Sequence, residues 1–449
     1  MLADAGVRLG DVAVDGDDLY WTESRAYEGG RTVIVRRDAH GTIADAVPSG
    51  FNARSRVHEY GGGTYAVRGG ILISCSLEDQ RVYLFGDGDP IAITPQPDIE
   101  AGDRYADFLF HGDHIICVRE RHSDDLEPIN SLVVFPLDGS DDPRVIAQGH
   151  DFYSSPRVSP DGSRLVWLSW DHPGMPWDGT ELWGAALAQD GSVSEPELLA
   201  GGETESVLQP EWSPSGVLHF VSDRSGWWNL YRFVGDRVEP LHAMEAEFGD
   251  PQWQFGMRRY GFLPGGRVVT MYAESGVDRL GIIEDDVLQP VYTAYERFGS
   301  SLGVRGDVLF TTAGSGGSAT AVVGIDAETG DVDIVRTSLD IDLDPGLISH
   351  PKPIEFPTTQ GTVAHAYYYP PRNPAFAGPE GEQPPLLVLS HGGPTSSTSP
   401  ELDIGLQFWT SRGFAVVDVD YRGSTGYGRR YREALRGEWG VVDVDDCIS

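Results

Sequence analysis

Leu386-Leu387-Val388-Leu389-Ser390-His391-Gly392-Gly393-Pro394 is an unbroken apolar run that stops at a His-Gly-Gly-Pro turn. A run without polar alternation predicts a strand buried on both faces, as in a parallel sheet. Two consecutive glycines let the backbone turn sharply and leave its N–H groups free to point at a ligand. Downstream, Leu402, Leu406 and Trp409 fall at i, i+4 and i+7 and predict a helix that starts near Ser399-Pro400 and stops at Gly413. A second buried strand comes next, at Phe414–Asp420. Strand, helix and strand over about 35 residues make a βαβ unit, hence a parallel pair with a right-handed crossover.

Working outward, Thr362 to Tyr369 alternates as a strand, and Pro370 to Pro385 is a Pro/Gly-rich connector. On the other side lies a glycine-punctuated loop, Tyr421-Arg422-Gly423-Ser424-Thr425-Gly426-Tyr427-Gly428. It lacks the order of a phosphate-binding loop, and the sole lysine, Lys352, is elsewhere. Arg429–Arg436 reads as helical, and the sequence then runs through Glu438-Trp439-Gly440 to Ser449.

Residues 9–340 have a different character. One unit recurs: a glycine turn, an apolar strand, a polar gap and a further strand. Its clearest copies turn at Ser159-Pro160-Asp161-Gly162 before Leu165–Leu168, and at Ser213-Pro214-Ser215-Gly216 before Val217–Phe220. Fainter copies turn at Gly16, Gly70, Gly112, Gly265 and Gly306. Successive turn glycines are 41 to 54 residues apart, the range of four-stranded propeller blades. A lone blade cannot cover both faces, whereas a closed ring stacks each blade on two neighbours. The expectation is a mainly β protein: a seven-bladed propeller over residues 1–345, then part of an α/β domain over 346–449. Side-by-side β-sandwiches are the competing architecture, and the regular turns count against them.

Composition narrows the function. A net charge of −36 and a pI near 4.5 argue against nucleic acid, which requires a basic footprint. The acidity is either a solvated surface or a field that draws in cationic substrates such as peptide amines. Cys75, Cys117 and Cys447 are odd in number and lack CxxC spacing, which fits a reducing cytoplasm. Met1-Leu2-Ala3-Asp4 opens no signal-peptide pattern, and no run reaches the ~20 apolar residues of a membrane span. A soluble protein without membrane association is expected.

Polar and aromatic clusters fall between the blade strands: Val57–Gly63, Arg119–His122, Trp170-Asp171-His172 and Trp227-Trp228. Glu59 or Glu120 could hold a peptide's N-terminal amine as a carboxylate partner. Loop packing and local ion pairs are the alternative reading of each cluster. His58, His122 and His172 are too scattered to suggest a metal site.

Three segments in order, His391-Gly392-Gly393-Pro394, Asp420-Tyr421-Arg422-Gly423-Ser424-Thr425-Gly426-Tyr427-Gly428 and Glu438-Trp439-Gly440-Val441-Val442-Asp443, resemble the catalytic-domain entry of the prolyl oligopeptidase family of serine peptidases. The acylaminoacyl-peptidase and dipeptidyl-aminopeptidase-like branch is the most similar. The resemblance implies a cytoplasmic enzyme for short peptides, with the propeller limiting access for larger chains. It further implies an α/β-hydrolase domain with a Ser-Asp-His triad and no metal or organic cofactor. By position, His391, Gly392 and Gly393 match the oxyanion loop. Tyr421, Arg422, Gly423, Trp439 and Gly440 match structural loops near the site.

The family's G-x-S-x-G nucleophile elbow belongs after the Trp-Gly segment, and the Asp and His come after it in chain order. All three triad members are therefore expected beyond Ser449, on a longer chain or on a second one, with residues 1–449 inactive alone. Gly299-Ser300-Ser301-Leu302-Gly303 fits the motif literally. It comes after Tyr295–Phe298, which does not read as a buried strand, and precedes a strand signal rather than a helix, so Ser301 is rejected. Ser318 is rejected too, because it lacks the closing glycine. A non-catalytic propeller that binds peptides is the alternative from another class, and an esterase on the same scaffold is a third reading.

Overall fold

Gly16, Gly70, Gly112, Gly162, Gly216, Gly265 and Gly306 take φ between 54° and 81°, a left-handed conformation that costs glycine nothing. In the computed structural model, which describes residues 6–123, 127–340 and 343–449, each sits between the first and second strands of a four-stranded antiparallel sheet. The seven sheets span residues 7–45, 65–92, 103–147, 152–202, 207–240, 260–291 and 297–337, and form blades 1 to 7 in chain order. The Met1–Asp4 segment lies outside the described residues.

Aliphatic and aromatic side chains fill the seams between blades. Ile116, Val118 and Leu132 of blade 3 meet Leu165 and Trp167 of blade 4 in one cluster, each fully buried side chain being worth about 1.5–3 kcal/mol. First strands of neighbouring blades pack together and enclose a channel cavity of about 540 Å³ bounded by Asp11, Tyr65, Asp107, Arg157, Tyr260 and Ser301. Among the described residues no strand is exchanged at the ring's closure, since all of blade 1 comes from residues 7–45. Blade 1 instead bonds to blade 7 and to the segment just after it: Val12 N–H donates to Ser301 Oγ at 2.9 Å, and Val7 N–H to Ser338 O at 2.8 Å.

An eighth sheet is built from β1 (Lys352–Pro357), β2 (Val363–Tyr369), β3 (Leu386–Ser390) and β4 (Ala415–Asp420), in the order β1-β2-β4-β3. Only β3 and β4 are parallel, in register from Leu386 opposite Ala415 to Ser390 opposite Val419. Helix α1 (Ile404–Thr410) joins them, and α2 (Arg429–Glu433) and α3 (Val442–Ile448) come after β4. Val416 packs with Tyr367, Tyr369 and Leu406 on one face of the sheet, and Val419 with Ala366, Tyr421 and Leu435 on the other.

The structure corrects several expectations. β3 is an edge strand with Leu386, Val388 and Leu389 exposed at 54%, 45% and 42%; its apolar run suits burial, but nothing among the described residues pairs with its outer side. Helix α1 starts four residues late, because Asp403 caps it by accepting Leu406 N–H at 3.0 Å. Strand β1 alternates only over Ile354-Glu355-Phe356, between two prolines, too short a pattern to predict a strand. Arg119–Arg121 lies within a strand, His114–Arg121, rather than between strands. Tyr295–Phe298 leads into strand Arg297–Arg305, where Phe298 is buried at the seam between blades 6 and 7.

Candidate active site

Beyond Ser390 the chain leaves the sheet at its parallel end and forms the His391–Pro394 loop. His391 Nε2 lies 2.6 Å from Ser424 Oγ, and its ring stacks on Tyr421 with centroids 4.5 Å apart. Tyr421 O–H donates back to His391 O at 3.2 Å. Burial pushes the His391 imidazole below its usual pKa, which keeps it neutral at pH 7. Behind it, Asp420 is 1% exposed, accepting Thr398 N–H and Tyr427 O–H, both at 2.7 Å. Among the described residues, the Gly392 and Gly393 N–H groups donate no hydrogen bond. Two unpaired backbone donors at the end of a parallel strand can hold negative charge on a bound group.

The neighbouring loop residues divide into two kinds. Arg422 is locked in place: its guanidinium makes bonds of 2.7–3.1 Å to Asp446 of α3, and its own N–H donates to the same carboxylate at 2.7 Å. Gly423 takes φ 118°, and a Cβ there would lie 2.6 Å from Leu435. Trp439 and Gly440, between α2 and α3, make no such framework, and Trp439 is 62% exposed.

On the propeller side, three clusters that are distant in sequence converge. Arg104 Nη1 reaches Glu59 at 2.7 Å and Glu120 at 3.1 Å. Glu120 also accepts His58 N–H at 2.8 Å and sits 2.7 Å from His122 Nε2. The His58 ring meets Trp170 at 5.6 Å and Phe152 at 4.9 Å. Glu120 is thus buried and fully engaged, whereas Glu59 projects outward with a 68% exposed side chain. Next to Glu59, Tyr60 packs on Trp253 at 5.0 Å, and Trp253 Nε1–H donates to Thr395 O at 2.6 Å. Two contacts therefore carry the Glu59 loop to the segment just after Pro394. Trp253, Asp250, Arg297, Glu401, Ser396 and Thr425 line a cavity of about 790 Å³ between propeller and sheet.

Helix α2 holds the two parts together. Asp223, fully buried, accepts Arg429 and Arg432 at 2.6 Å each, and the Arg432 guanidinium covers the Trp228 ring at 3.9 Å. Glu247 accepts N–H groups from Trp228 and Gly428. Burial nonetheless raises the Asp223 pKa and lifts Glu247 to about 7, outweighing the arginines beside them. Sequence reasoning found Trp227-Trp228 but missed Asp223, Glu247, Arg432 and Trp253, whose partners lie 140 to 210 residues away. Asp420 carried a signal: an acidic residue closing a mostly apolar strand and buried there must have a partner.

The serine decoys are settled by their partners. Ser301 Oγ is buried, accepting Val12 N–H, and Ser318 Oγ bonds to Ser315 at 2.8 Å at the start of a strand. Ser424 does touch a histidine, but it is fully buried. Its other partner also breaks the pattern, since Asp420 lies nearest the same His391 Nε2, at 3.9 Å. A catalytic base needs its carboxylate on the opposite ring nitrogen.

Comparison with known proteins bears on this arrangement. A model described as "Prolyl oligopeptidase family" matches residues 400–449. The "Uncharacterized peptidase YuxL" of Bacillus subtilis is 35% identical over 103 residues, 23% of this chain and 15% of that protein. "Dipeptidyl aminopeptidase BIII" of Pseudoxanthomonas mexicana is 35% identical over 100 residues, 22% of this chain and 14% of that protein. The matched segments thus span about one seventh of these curated relatives. A solved Mycobacterium tuberculosis puromycin-hydrolyzing peptidase superposes with a TM-score of 0.94 at 38% identity, covering 100% of this chain and 71% of that one. The acylaminoacyl peptidase of Pyrococcus horikoshii, at TM-score 0.66 and 14% identity, covering 99% of this chain and 70% of that one, shares the fold.

Proposed function

We propose, since the chain belongs to the prolyl oligopeptidase family of serine peptidases, that residues 386–428 form the oxyanion side of a peptide-cleaving active site. One observation carries the reading: the unpaired N–H groups of Gly392 and Gly393 on a loop that runs on to Ser396 and Ser397, which line a cavity between propeller and sheet. In this reading a serine outside residues 1–449 attacks the peptide carbonyl and a histidine accepts its proton. The glycine N–H groups hold the resulting oxyanion; collapse expels the amine, and water releases the acyl group. The open flank of β3 and its exposed Leu386, Val388 and Leu389 fit a further parallel strand bringing that serine. Exposed Glu59, close to the loop through Tyr60 and Trp253, supports short peptides held by their amino end, of the dipeptidyl or acylaminoacyl kind. The propeller restricts entry of longer chains. Free Cys75, Cys117 and Cys447 fit a reducing cytoplasm.

Chromogenic dipeptide and N-acyl-amino-acid amides, offered to the protein carrying the nucleophile segment, test the proposal. Cleavage that disappears with serine-directed inhibitors is expected. Tight peptide binding without turnover would move the assignment to a non-catalytic binding propeller, and cleavage of esters alone to an esterase.

A further inference from the structure

An oxyanion loop works only if its donors stay fixed, and the fastenings of this one lead back to the propeller. The hairpin of strands Val268–Glu274 and Val277–Glu284 in blade 6 turns at Ser275 and Gly276, with φ of 52° and 76°. Its tip presses on the second domain. Tyr367 O–H donates to Gly276 O at 3.1 Å, and a Cβ at Gly276 would overlap Tyr427 Oη. Tyr427 cannot swing aside, because its ring stacks face to face on His365 with centroids 4.0 Å apart and planes 7° apart. Held there, its O–H donates to Asp420 Oδ2 at 2.7 Å. The other oxygen, Oδ1, accepts Thr398 N–H at 2.7 Å and lies 3.9 Å from His391 Nε2.

Asp420 is buried, and His391 is its only salt-bridge-range partner among the described residues. A buried carboxylate without an arginine or lysine depends on its hydrogen bonds, and losing one costs more than the bond itself contributes. Its position is therefore set by Tyr427 from one side and passed to Thr398 and His391 on the other.

We propose that Tyr427 and Asp420 are positioning residues that couple docking of the blade-6 hairpin to the geometry of the oxyanion loop, through Gly276, Tyr427, Asp420 and then Thr398 and His391. This rests on reading residues 391–394 as that loop, but the coupling can be tested without turnover. A hinge movement that withdraws the hairpin would free Tyr427, loosen Asp420 and disorder the loop, leaving the site competent only when the propeller is seated. Trp253, bonded directly to Thr395 O, is a second and separate tie.

Hydrogen exchange read by mass spectrometry on the 449-residue protein is the test, with Tyr427→Phe and Gly276→Ala as independent variants. Each should speed exchange at the bonded Ser396 and Thr398 N–H groups by about tenfold, the lower end of what losing a hydrogen bond to a charge produces. The blade-3 strand His114–Arg121 should be unaffected. The ring signal of His391, identified among the 12 histidines by its loss in His391→Gln, should shift in both variants, a change that general loosening would not produce. Unchanged exchange at Ser396 and Thr398 in a folded variant overturns the coupling, as does a rise spread evenly over the protein. If neither variant folds, the unaltered protein decides: its Thr398 amide must be protected, and exchange at the free-chain rate overturns the coupling. These outcomes concern order within the loop, so they stand apart from whether the enzyme cleaves peptides.

Discussion

At the scale of single residues, the site is held by a few buried polar groups, Asp420, Arg422, Asp446 and Asp223 among them, whose charged atoms meet named partners. Gly393 takes φ 139°, and an added Cβ would sit 3.1 Å from Thr395 N. Gly393→Ala should therefore move one oxyanion donor and lower kcat by about 10²–10³ with little change in KM, measured on the protein carrying the nucleophile segment; an unchanged kcat would remove this loop from the chemistry. Arg422 and Asp446 form a pair with side chains 4% and 0% exposed. Arg422→Ala leaves the buried Asp446 carboxylate without a cation, held only by the residue 422 N–H and Thr358 O–H, and should destabilise the α/β part by about 3–5 kcal/mol in urea unfolding; a loss under about 1 kcal/mol would show that water reaches the site. Gly393 was legible because its φ of 139° and the close Thr395 N suit only glycine. The Tyr421 stack and the Asp420 bonds were not, since they depend on how a loop folds back on its own strand.

Elements bring in the domain contact. Helix α2 is only five residues long, yet Asp223, Glu247 and Trp228 clasp it. Glu247 is raised from 4.5 to about 7, so the folded protein keeps a proton that the unfolded chain releases between those values. Its contribution is fully present below about pH 4.5 and is lost as pH rises through 7. At about 1.36 kcal/mol per unit, the loss approaches about 3 kcal/mol, and Asp223 changes in the same direction. Denaturant titrations at pH 5 and pH 8 should show it, and Glu247→Gln should flatten the slope; an equal slope in both proteins would contradict the assignment. Which strands exist was largely readable, but their environment was not. β3 and β4 have similar apolar runs, yet β4 lies between two strands while β3 is an edge, a difference fixed by the neighbouring segment and not by the run itself. The edge also makes a prediction: Val388→Lys should reduce self-association in light scattering without unfolding the protein, because charge on an open edge blocks strand-to-strand pairing.

Across the whole molecule, the period of the turn glycines revealed seven blades because every blade needs the same left-handed turn between its first two strands. How the ring closes was not readable, because Val12 and Ser301 are 289 residues apart and neither has any pattern that points to the other. The net charge of −36 acts over the same scale. Self-repulsion should make the melting temperature rise between about 0.01 and 0.5 M salt as screening shortens; a fall would mean that surface ion pairs outweigh repulsion. The central proposal is that residues 1–449 supply a propeller and an oxyanion loop to a peptidase whose serine lies elsewhere. Its most direct test is fluorophosphonate labelling with peptide mass mapping, on the 449-residue chain and on the protein isolated from its native source. The account predicts an unlabelled chain and a native protein labelled on a serine outside residues 1–449. An adduct on any serine within residues 1–449, Ser301 and Ser424 included, or a native protein that takes no label, would contradict it.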